Sequence, residues 1–257
     1  MKKITAIVNH KGGVGKTAIS SNLAFALSEK GHKTLLIDLD PQGHSCIIFC
    51  NQIDEDNNMS NVIKDRSYNI SKAIVKAQVQ GDDIENLYVI PSDLQLSLTE
   101  VEIYGRTRFE KLLYRQLDKI SEDFDYVIID CPPNLGPLTQ NAIFVSTDII
   151  VPVNYDNFAL RGVKTLFNKV HEIKEDQAGY SIKVVRNKRD LRDKKMTSSI
   201  EGELSNNLPK EYIMETIVRK ASVLEQSRID LEPIAIHAPK SPIKKDYDDL
   251  AEEYINE

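Results

Sequence analysis

The chain has 257 residues and a net charge of −6; 41% of its residues are hydrophobic and 28% are charged. This balance is typical of a folded soluble protein, and the mild negative charge excludes a surface that is basic all over, as in a histone-like protein. A local basic patch, which a nucleic-acid contact needs, remains compatible with it. No run of about 18 apolar residues occurs, so we expect no membrane span.

Strands and helices alternate along the chain. Apolar, β-branched runs predict strands at 3–9, 33–38, 87–91, 126–130, 148–153, 181–185 and 233–236. Helical spacing predicts helices at 16–30, 106–121, 135–146, 160–176, 197–207 and 241–256. Near-continuous apolar strands separated by helices indicate a parallel sheet with helices on both faces, and ligands of such sheets bind beyond the carboxyl ends of the strands. We therefore predict one α/β domain over residues 1–257, with a single doubly wound, mainly parallel sheet.

The cysteines indicate the compartment. The chain has three cysteines, Cys46, Cys50 and Cys131. An odd number without the pattern of a disulfide framework favours a reducing cytoplasm. We interpret them as small, buried apolar residues rather than as zinc ligands.

The most specific motif follows the first strand and reads K-G-G-V-G-K-T, from Lys11 to Thr17. The ordinary phosphate loop is G-x-x-x-x-G-K-[ST], but His10 stands where its first glycine belongs, so this is a deviant Walker A motif with an additional lysine. Glycines let backbone N–H groups converge on phosphates, Lys16 neutralises phosphate charge, and the Thr17 hydroxyl suits Mg²⁺. The predicted ATP contacts in the loop are Lys11, Gly12, Gly13, Val14, Gly15, Lys16, Thr17 and Ala18.

Two acidic strand ends fit the same site. The segment LLIDLDPQG places Asp38 and Asp40 after the second strand, and YVIIDCPP places Asp130 at the end of another. An acid at such a position can hold the Mg²⁺ shell, as in the Walker B element, although carboxylates at strand ends are also often helix caps or surface ion pairs. With the loop present, we predict Thr17, Asp38 and Asp130 as metal-site residues and Asp40 as catalytic.

Together these segments resemble the ParA/MinD family of deviant Walker A ATPases, and within it the ParA/Soj-type partition ATPases. The likeness also includes SNLAFALSEKGHK, NLGPLTQNAI, TDIIVPVNYDNFALRGVKTL and TIVRKASVLEQSRIDLEPI. It implies a P-loop ATPase that sandwiches ATP between two subunits, with Lys11 of each acting catalytically on the other's nucleotide and Asp40 activating the attacking water. It also implies non-specific, nucleoid-associated DNA binding by the ATP-bound homodimer. A centromere-binding partner of the ParB type would stimulate its weak hydrolysis in plasmid or chromosome partition.

Basic residues are concentrated between Lys183 and Lys195, again at Arg219 and Lys220, and then at Lys240, Lys244 and Lys245. Such a set can contact several DNA phosphates, although any one of these residues can equally belong to a solvated surface. Arg219 is the first choice, because it matches the arginine of the family's I-P-R-N segment, which reads I-V-R-K here. The predicted DNA contacts are Arg189, Arg192, Lys194, Lys195, Arg219 and Lys220.

Four alternatives stand beside this interpretation. The segment 187–190 (NKRD) matches the guanine-reading N-K-x-D motif of GTPases, but Asn187 also suits adenine recognition in the ParA/MinD family, so we predict it as an ATP contact. A MinD-like membrane-cycling ATPase needs a basic amphipathic C-terminal helix, whereas segment 246–257 is acidic. An iron–sulfur reductase needs two cluster cysteines per subunit, which Cys131 does not provide. A nucleotide-gated DNA-binding regulator with incidental hydrolysis is the non-enzyme alternative.

Overall fold

The computed structural model describes residues 3–120, 122–155, 162–177 and 179–257. Its strands are β1 (Lys3–Ile7), β2 (Thr34–Asp38), β3 (Val75–Val79), β4 (Asp82–Ile90), β5 (Tyr126–Asp130), β6 (Asp148–Asn154), β7 (Ser181–Arg189) and β8 (Ile213–Arg219). They form one sheet in the order β3-β4-β2-β5-β1-β6-β7-β8. Within the described ranges only the pair of β3 and β4 is antiparallel. The predicted mainly parallel sheet is therefore confirmed.

Helices cover both faces of this sheet. They are α1 (Lys16–Glu29), α2 (Met59–Lys64), α3 (Gln95–Tyr104), α4 (Leu112–Leu117), α5 (Pro137–Val145), α6 (Val163–Ile173), α7 (Lys194–Asn207), α8 (Ser222–Ile229), α9 (Ile234–His237) and α10 (Pro242–Asn256). Because side chains alternate along a strand, Ala6 packs in the hydrophobic cluster on one face and Ile7 in the cluster on the other. The cysteines are free thiols; Cys46 and Cys131 are buried as expected, whereas Cys50 is only partly buried.

The central strands bring the two acidic segments together. Every residue of β2 and β5 is buried, as expected of parallel strands covered on both faces. The parallel register pairs Asp38 with Asp130 at the carboxyl ends of these strands. Strand β1, which leads into the phosphate loop, pairs with the other side of β5. The register therefore places both acids beside the loop.

One predicted strand, at 233–236, is wrong. Pro233 precedes helix α9, and its carbonyl oxygen accepts hydrogen bonds from the N–H groups of Ile236 and His237, both at 3.0 Å. A short apolar run after a proline does not distinguish a buried strand from a helical turn. The sequence also missed β3 and β8, because polar residues interrupt the apolar pattern of these edge strands. Residues 121, 160 and 161 of the predicted helices lie outside the described ranges.

Edge strand β8 carries a bulge in its pairing with β7. Arg186 donates from Nη2 to the carbonyl oxygens of Met214 and Glu215, at 2.6 and 2.7 Å. Glu253 on α10 accepts hydrogen bonds from the N–H groups of Glu215 and Thr216. Side chains from β7 and α10 therefore satisfy the backbone groups that the bulge takes out of the ladder.

Candidate nucleotide-binding site

The phosphate loop lies between β1 and α1, as its sequence requires. Gly13 and Gly15 have positive φ angles of 74° and 94°. A Cβ on Gly15 would lie 2.2 Å from Nδ2 of Asn187, so only glycine fits at this position. Gly12 and Gly13 are exposed, and Gly15 directly precedes the first turn of α1. An exposed glycine backbone at the positive end of a helix is an anion-binding arrangement.

Side chains from neighbouring strands hold the loop in place. Nδ2 of Asn187 donates to the carbonyl oxygen of Val14 at 2.7 Å. Nζ of Lys188 and Nδ2 of Asn154 both donate to the carbonyl oxygen of Gly13, at 2.8 and 3.3 Å. Lys188 has a φ of 56°, an uncommon left-handed conformation for a residue other than glycine. The end of β7 therefore lies against the phosphate loop, and Lys188 holds a strained backbone conformation there.

Lys16 directs its amine toward the loop. The residue is 7% exposed, and its Nζ donates to the carbonyl oxygen of Lys11 at 3.4 Å. Burial lowers the pKa of Lys16, while the nearby charges of Asp130 and Asp40 act in the opposite direction. An ammonium group has three donors, so this buried group is well placed to donate to phosphate oxygens.

Asp130 has one oxygen that lacks a protein donor. Its Oδ1 accepts a hydrogen bond from Oγ of Ser20 at 3.0 Å, whereas Oδ2 is buried with no hydrogen-bond partner in the described part of the chain. Burial, and then the charge of Asp38, raise the pKa of Asp130, against the opposing effect of the Thr17 and Ser20 hydroxyls. A cation or its bound water would satisfy Oδ2, so Asp130 and Thr17 fit a Mg²⁺ shell.

Asp38 has a different environment. Its Oδ1 accepts the N–H of Asp40 at 2.9 Å, and its Oδ2 accepts the N–H groups of Ser45 and Cys46 at 3.0 and 3.2 Å. Burial raises the pKa of Asp38, and these hydrogen bonds oppose that effect. Since backbone donors of the loop after β2 engage both oxygens, the contacts support a positioning role for Asp38, and metal ligation by it remains a prediction.

Asp40 begins the loop that Asp38 holds. Its carbonyl oxygen accepts a hydrogen bond from Oγ of Ser92 at 2.5 Å, and its Oδ1 accepts the N–H of Gln42 at 3.0 Å. The half-exposed Asp40 side chain lines the same cavity as Lys16 and Thr17. It is therefore placed to meet a ligand bound by the phosphate loop.

The cavity above the loop has a volume of about 190 Å³. The predicted residues that line it are Gly12, Gly13, Gly15, Lys16, Thr17, Ala18, Asp40 and Asn187. Sequence reasoning missed the wall on α8, which supplies Leu224, Glu225 and Arg228. The i,i+3 spacing of Glu225 and Arg228 is a helical signal, but an eight-residue helix is too short for it to be decisive. Lys11 is not among the described residues that line this cavity.

Two larger cavities adjoin the first one. A cavity of about 360 Å³ shares Thr17, Ala18 and Arg228 with it. Another of about 710 Å³ shares Lys188 and Leu224. Together they give the site room for a ligand larger than a phosphate chain.

Two of the predicted DNA contacts are held in ion pairs. Nε and Nη2 of Arg219 both donate to Asp246 at 2.7 Å. Nε and Nη2 of Arg192 donate to Asp190 at 3.0 and 2.9 Å. Each ion pair uses two N–H donors of the guanidinium and offsets its charge, which weakens its attraction to phosphates.

The remaining predicted DNA contacts lie at the start of α7 and at the ends of β7 and β8. Lys194 and Lys195 are exposed on the first turn of α7, and Lys220 is exposed directly after β8. Arg189 is partly buried, and its Nε has no hydrogen-bond partner among the described residues. The structure brings Arg192, Arg219 and Lys220 together around the 710 Å³ cavity, next to the phosphate loop.

Comparisons with known proteins agree with this geometry. A family model for the AAA domain (AAA_31) matches residues 2–184. The sporulation initiation inhibitor protein Soj of Bacillus subtilis is 34% identical to the chain over 98% of both proteins. The chain belongs to the ParA/MinD family of deviant Walker A ATPases.

Solved structures place this ParA/MinD-family ATPase in the same fold. Cobyrinic acid a,c-diamide synthase from Mycobacterium smegmatis, with a bound ATP analogue and magnesium, is 25% identical with a TM-score of 0.81, over 100% of this chain and 95% of that one. A putative plasmid partition protein from Borrelia burgdorferi, bound to AMPPNP, has a TM-score of 0.81 at 22% identity, over 100% and 99% of the two chains. At 22% identity, the similarity to the plasmid partition protein shows a shared fold and nothing more. Across its described ranges, the ATPase has no helix with the length and apolar character needed to cross a membrane.

Proposed function

We propose that this chain is a Mg²⁺-dependent ATP hydrolase that dimerises on ATP, binds DNA without sequence preference and drives plasmid or chromosome partition with a ParB-type partner. The observation that carries the proposal is the K-G-G-V-G-K-T loop beside Asp130, whose buried Oδ2 has no partner within the described ranges. The biological setting is supported by relatives such as the chromosome partitioning protein ParA of Myxococcus xanthus, 32% identical over 67% of this chain and 59% of that protein.

The contacts support a division of roles. Lys16 and the loop amides bind the phosphates of ATP, and Thr17 and Asp130 hold the metal ion. When bound, Mg²⁺ neutralises phosphate charge. Asp40 positions or activates the attacking water, and Asp38 fixes the loop that carries Asp40 through three backbone hydrogen bonds.

The orientation of the Asn187 amide supports ATP over GTP. Because Nδ2 of Asn187 donates to Val14, its Oδ1 remains as an acceptor. Adenine presents an amino donor at C6, whereas guanine presents a carbonyl acceptor there. An acceptor at this residue, which lines the cavity at the phosphate loop, would favour adenine over guanine.

Helix α10 argues against the membrane-cycling alternative. Its apolar side chains Tyr247, Leu250 and Tyr254 are buried in the hydrophobic cluster on one face of the sheet. A helix whose apolar face packs in the core has no such face for lipid.

The regulator alternative differs in turnover: an ATPase rate unchanged by DNA or by the neighbouring gene's product would favour it.

Replacement of Lys11 by alanine should leave ATP binding to the monomer intact and impair both dimerisation and turnover. The reason is the resemblance to the ParA/MinD family, which implies that Lys11 of each subunit reaches the nucleotide of the other, and Lys11 is not among the described residues that line the cavity of its own subunit. Light scattering after size-exclusion chromatography with a non-hydrolysable ATP analogue measures this. Lys11→Arg, which keeps the charge, is the matched control. Normal ATP-dependent dimers of Lys11→Ala would refute a trans-acting lysine.

The double variant Lys194→Ala/Lys195→Ala should bind DNA more weakly and with a shallower salt dependence. Each lost phosphate contact reduces the steepness of the negative slope of log K against log salt by about 0.9. For two lysines we therefore expect the slope to become less negative by about 2. The matched control is Lys244→Ala/Lys245→Ala, because these amines pair with Asp248 and Asp249 on α10. Fluorescence anisotropy at several salt concentrations checks this. Equal slopes for the two double variants would exclude α7 from the DNA contact.

A further inference from the structure

The segment 187–190, at the end of β7, is a motif whose last residue has no role in ATP hydrolysis as described above. In the segment 187–190 (NKRD), Asn187 and Lys188 hold the phosphate loop, as described above. Asp190 lines the 710 Å³ cavity that adjoins the phosphate cavity at Lys188 and Leu224. Because the phosphate loop lines the smaller cavity, we assign the phosphates to it and the nucleoside to the larger one, and Asp190 lies on the wall of the larger one.

One residue engages both oxygens of Asp190. Oδ1 of Asp190 accepts hydrogen bonds from the backbone N and from Nε of Arg192, both at 3.0 Å, and Oδ2 accepts one from Nη2 at 2.9 Å. These hydrogen bonds hold the pKa of Asp190 well below its usual range. The Arg192 side chain is 89% exposed, so the pair lies at the rim of the cavity.

An unpaired carboxylate at this position would select guanine. A carboxylate only accepts hydrogen bonds, and the Watson–Crick edge of guanine offers two neighbouring donors, the N1 and N2 hydrogens. Adenine offers one amino donor beside the acceptor N1, whose lone pair a carboxylate repels. Asp190 without Arg192 would therefore favour guanine over adenine in the cavity that it lines.

We propose that Arg192 determines the base selectivity of this site. By engaging both oxygens of Asp190, it withdraws the guanine-reading carboxylate from the cavity and so removes the preference for guanine. This inference rests on the proposed function, because it concerns the base of the nucleotide bound by the phosphate loop. It also assigns Arg192 to the nucleotide rather than to DNA.

Calorimetric titration with ATPγS and with GTPγS, in the presence of Mg²⁺, tests this assignment. The variants are Arg192→Gln and Asp190→Asn/Arg192→Gln, with Arg115→Gln, an exposed arginine on α4, as the matched control. Arg192→Gln should raise the affinity for GTPγS relative to ATPγS by about fivefold, because an exposed ion pair competes with guanine for the carboxylate only by that order. The double variant should return the ratio to that of the parent, and Arg115→Gln should leave it unchanged.

The outcomes separate the inference from the function on which it rests. A rise of about threefold or more that disappears in the double variant supports the role of Arg192. A ratio within about threefold of the parent, or a rise that persists without the Asp190 carboxylate, overturns that role while leaving ATP binding in place. If the parent fails to bind ATPγS, the proposed function and this inference are overturned together.

Discussion

Replacement of Lys16 by alanine should abolish ATP binding. The Lys16 amine lies beside the phosphate loop, and without it the charges of Asp130 and Asp40 would be left to repel the phosphates. Two lost charge-assisted hydrogen bonds correspond to about 3 kcal/mol or more, which is an affinity loss of at least about 100-fold. Fluorescence titration with an ATP analogue measures this loss.

The Lys16 experiment needs a folding control, because the residue is buried. Thermal unfolding by circular dichroism should show that Lys16→Ala keeps a cooperative transition. Lys72→Ala, which removes an exposed lysine elsewhere on the chain, should bind ATP like the parent. ATP binding by folded Lys16→Ala within about threefold of the parent would rule out phosphate binding by this residue.

Replacement of Asp40 by asparagine should preserve ATP binding and dimerisation while slowing hydrolysis about 100-fold or more, the usual contribution of a general base or water-positioning group. Asparagine keeps an oxygen that can accept the N–H of Gln42, so the loop geometry should be retained. Single-turnover hydrolysis of ATP measures the chemical step.

Two further variants make the Asp40 result interpretable. Asp40→Ala also removes the Gln42 contact, so a larger loss there than in Asp40→Asn reports the contribution of loop geometry. Asp118→Asn, at an exposed carboxylate, should hydrolyse ATP at the parent rate. Hydrolysis by Asp40→Asn within about threefold of the parent would assign the water-activating role to another group.

The sequence predicted the part of the site that depends on strand ends. Asp38 and Asp130 each follow a short buried run, and a parallel register makes such strand ends neighbours. It could not predict that both oxygens of Asp38 would be engaged by backbone donors. That outcome depends on the path of the loop after β2, which folds back so that the N–H groups of Ser45 and Cys46 reach the carboxylate.

Long-range pairing limited the prediction of the basic surface. Arg219 and Asp246 are 27 residues apart, and only the packing of α10 against β8 brings them into a two-point ion pair. Arg192 and Asp190 are close in sequence, but whether they pair depends on the turn after β7. A count of charges along the chain cannot distinguish a cation already held by a carboxylate from one available to DNA.

The contacts at the bulge of β8 bear on the solubility of the molecule. A strand at the end of a sheet displays unpaired backbone groups, which can serve as a template for a strand from another molecule. The Glu253 carboxylate accepts two N–H groups of β8 and adds a negative charge beside them. An incoming strand would have to displace this carboxylate and would meet a backbone bent out of register. Helix α10 thus protects this part of the edge against intermolecular β-aggregation.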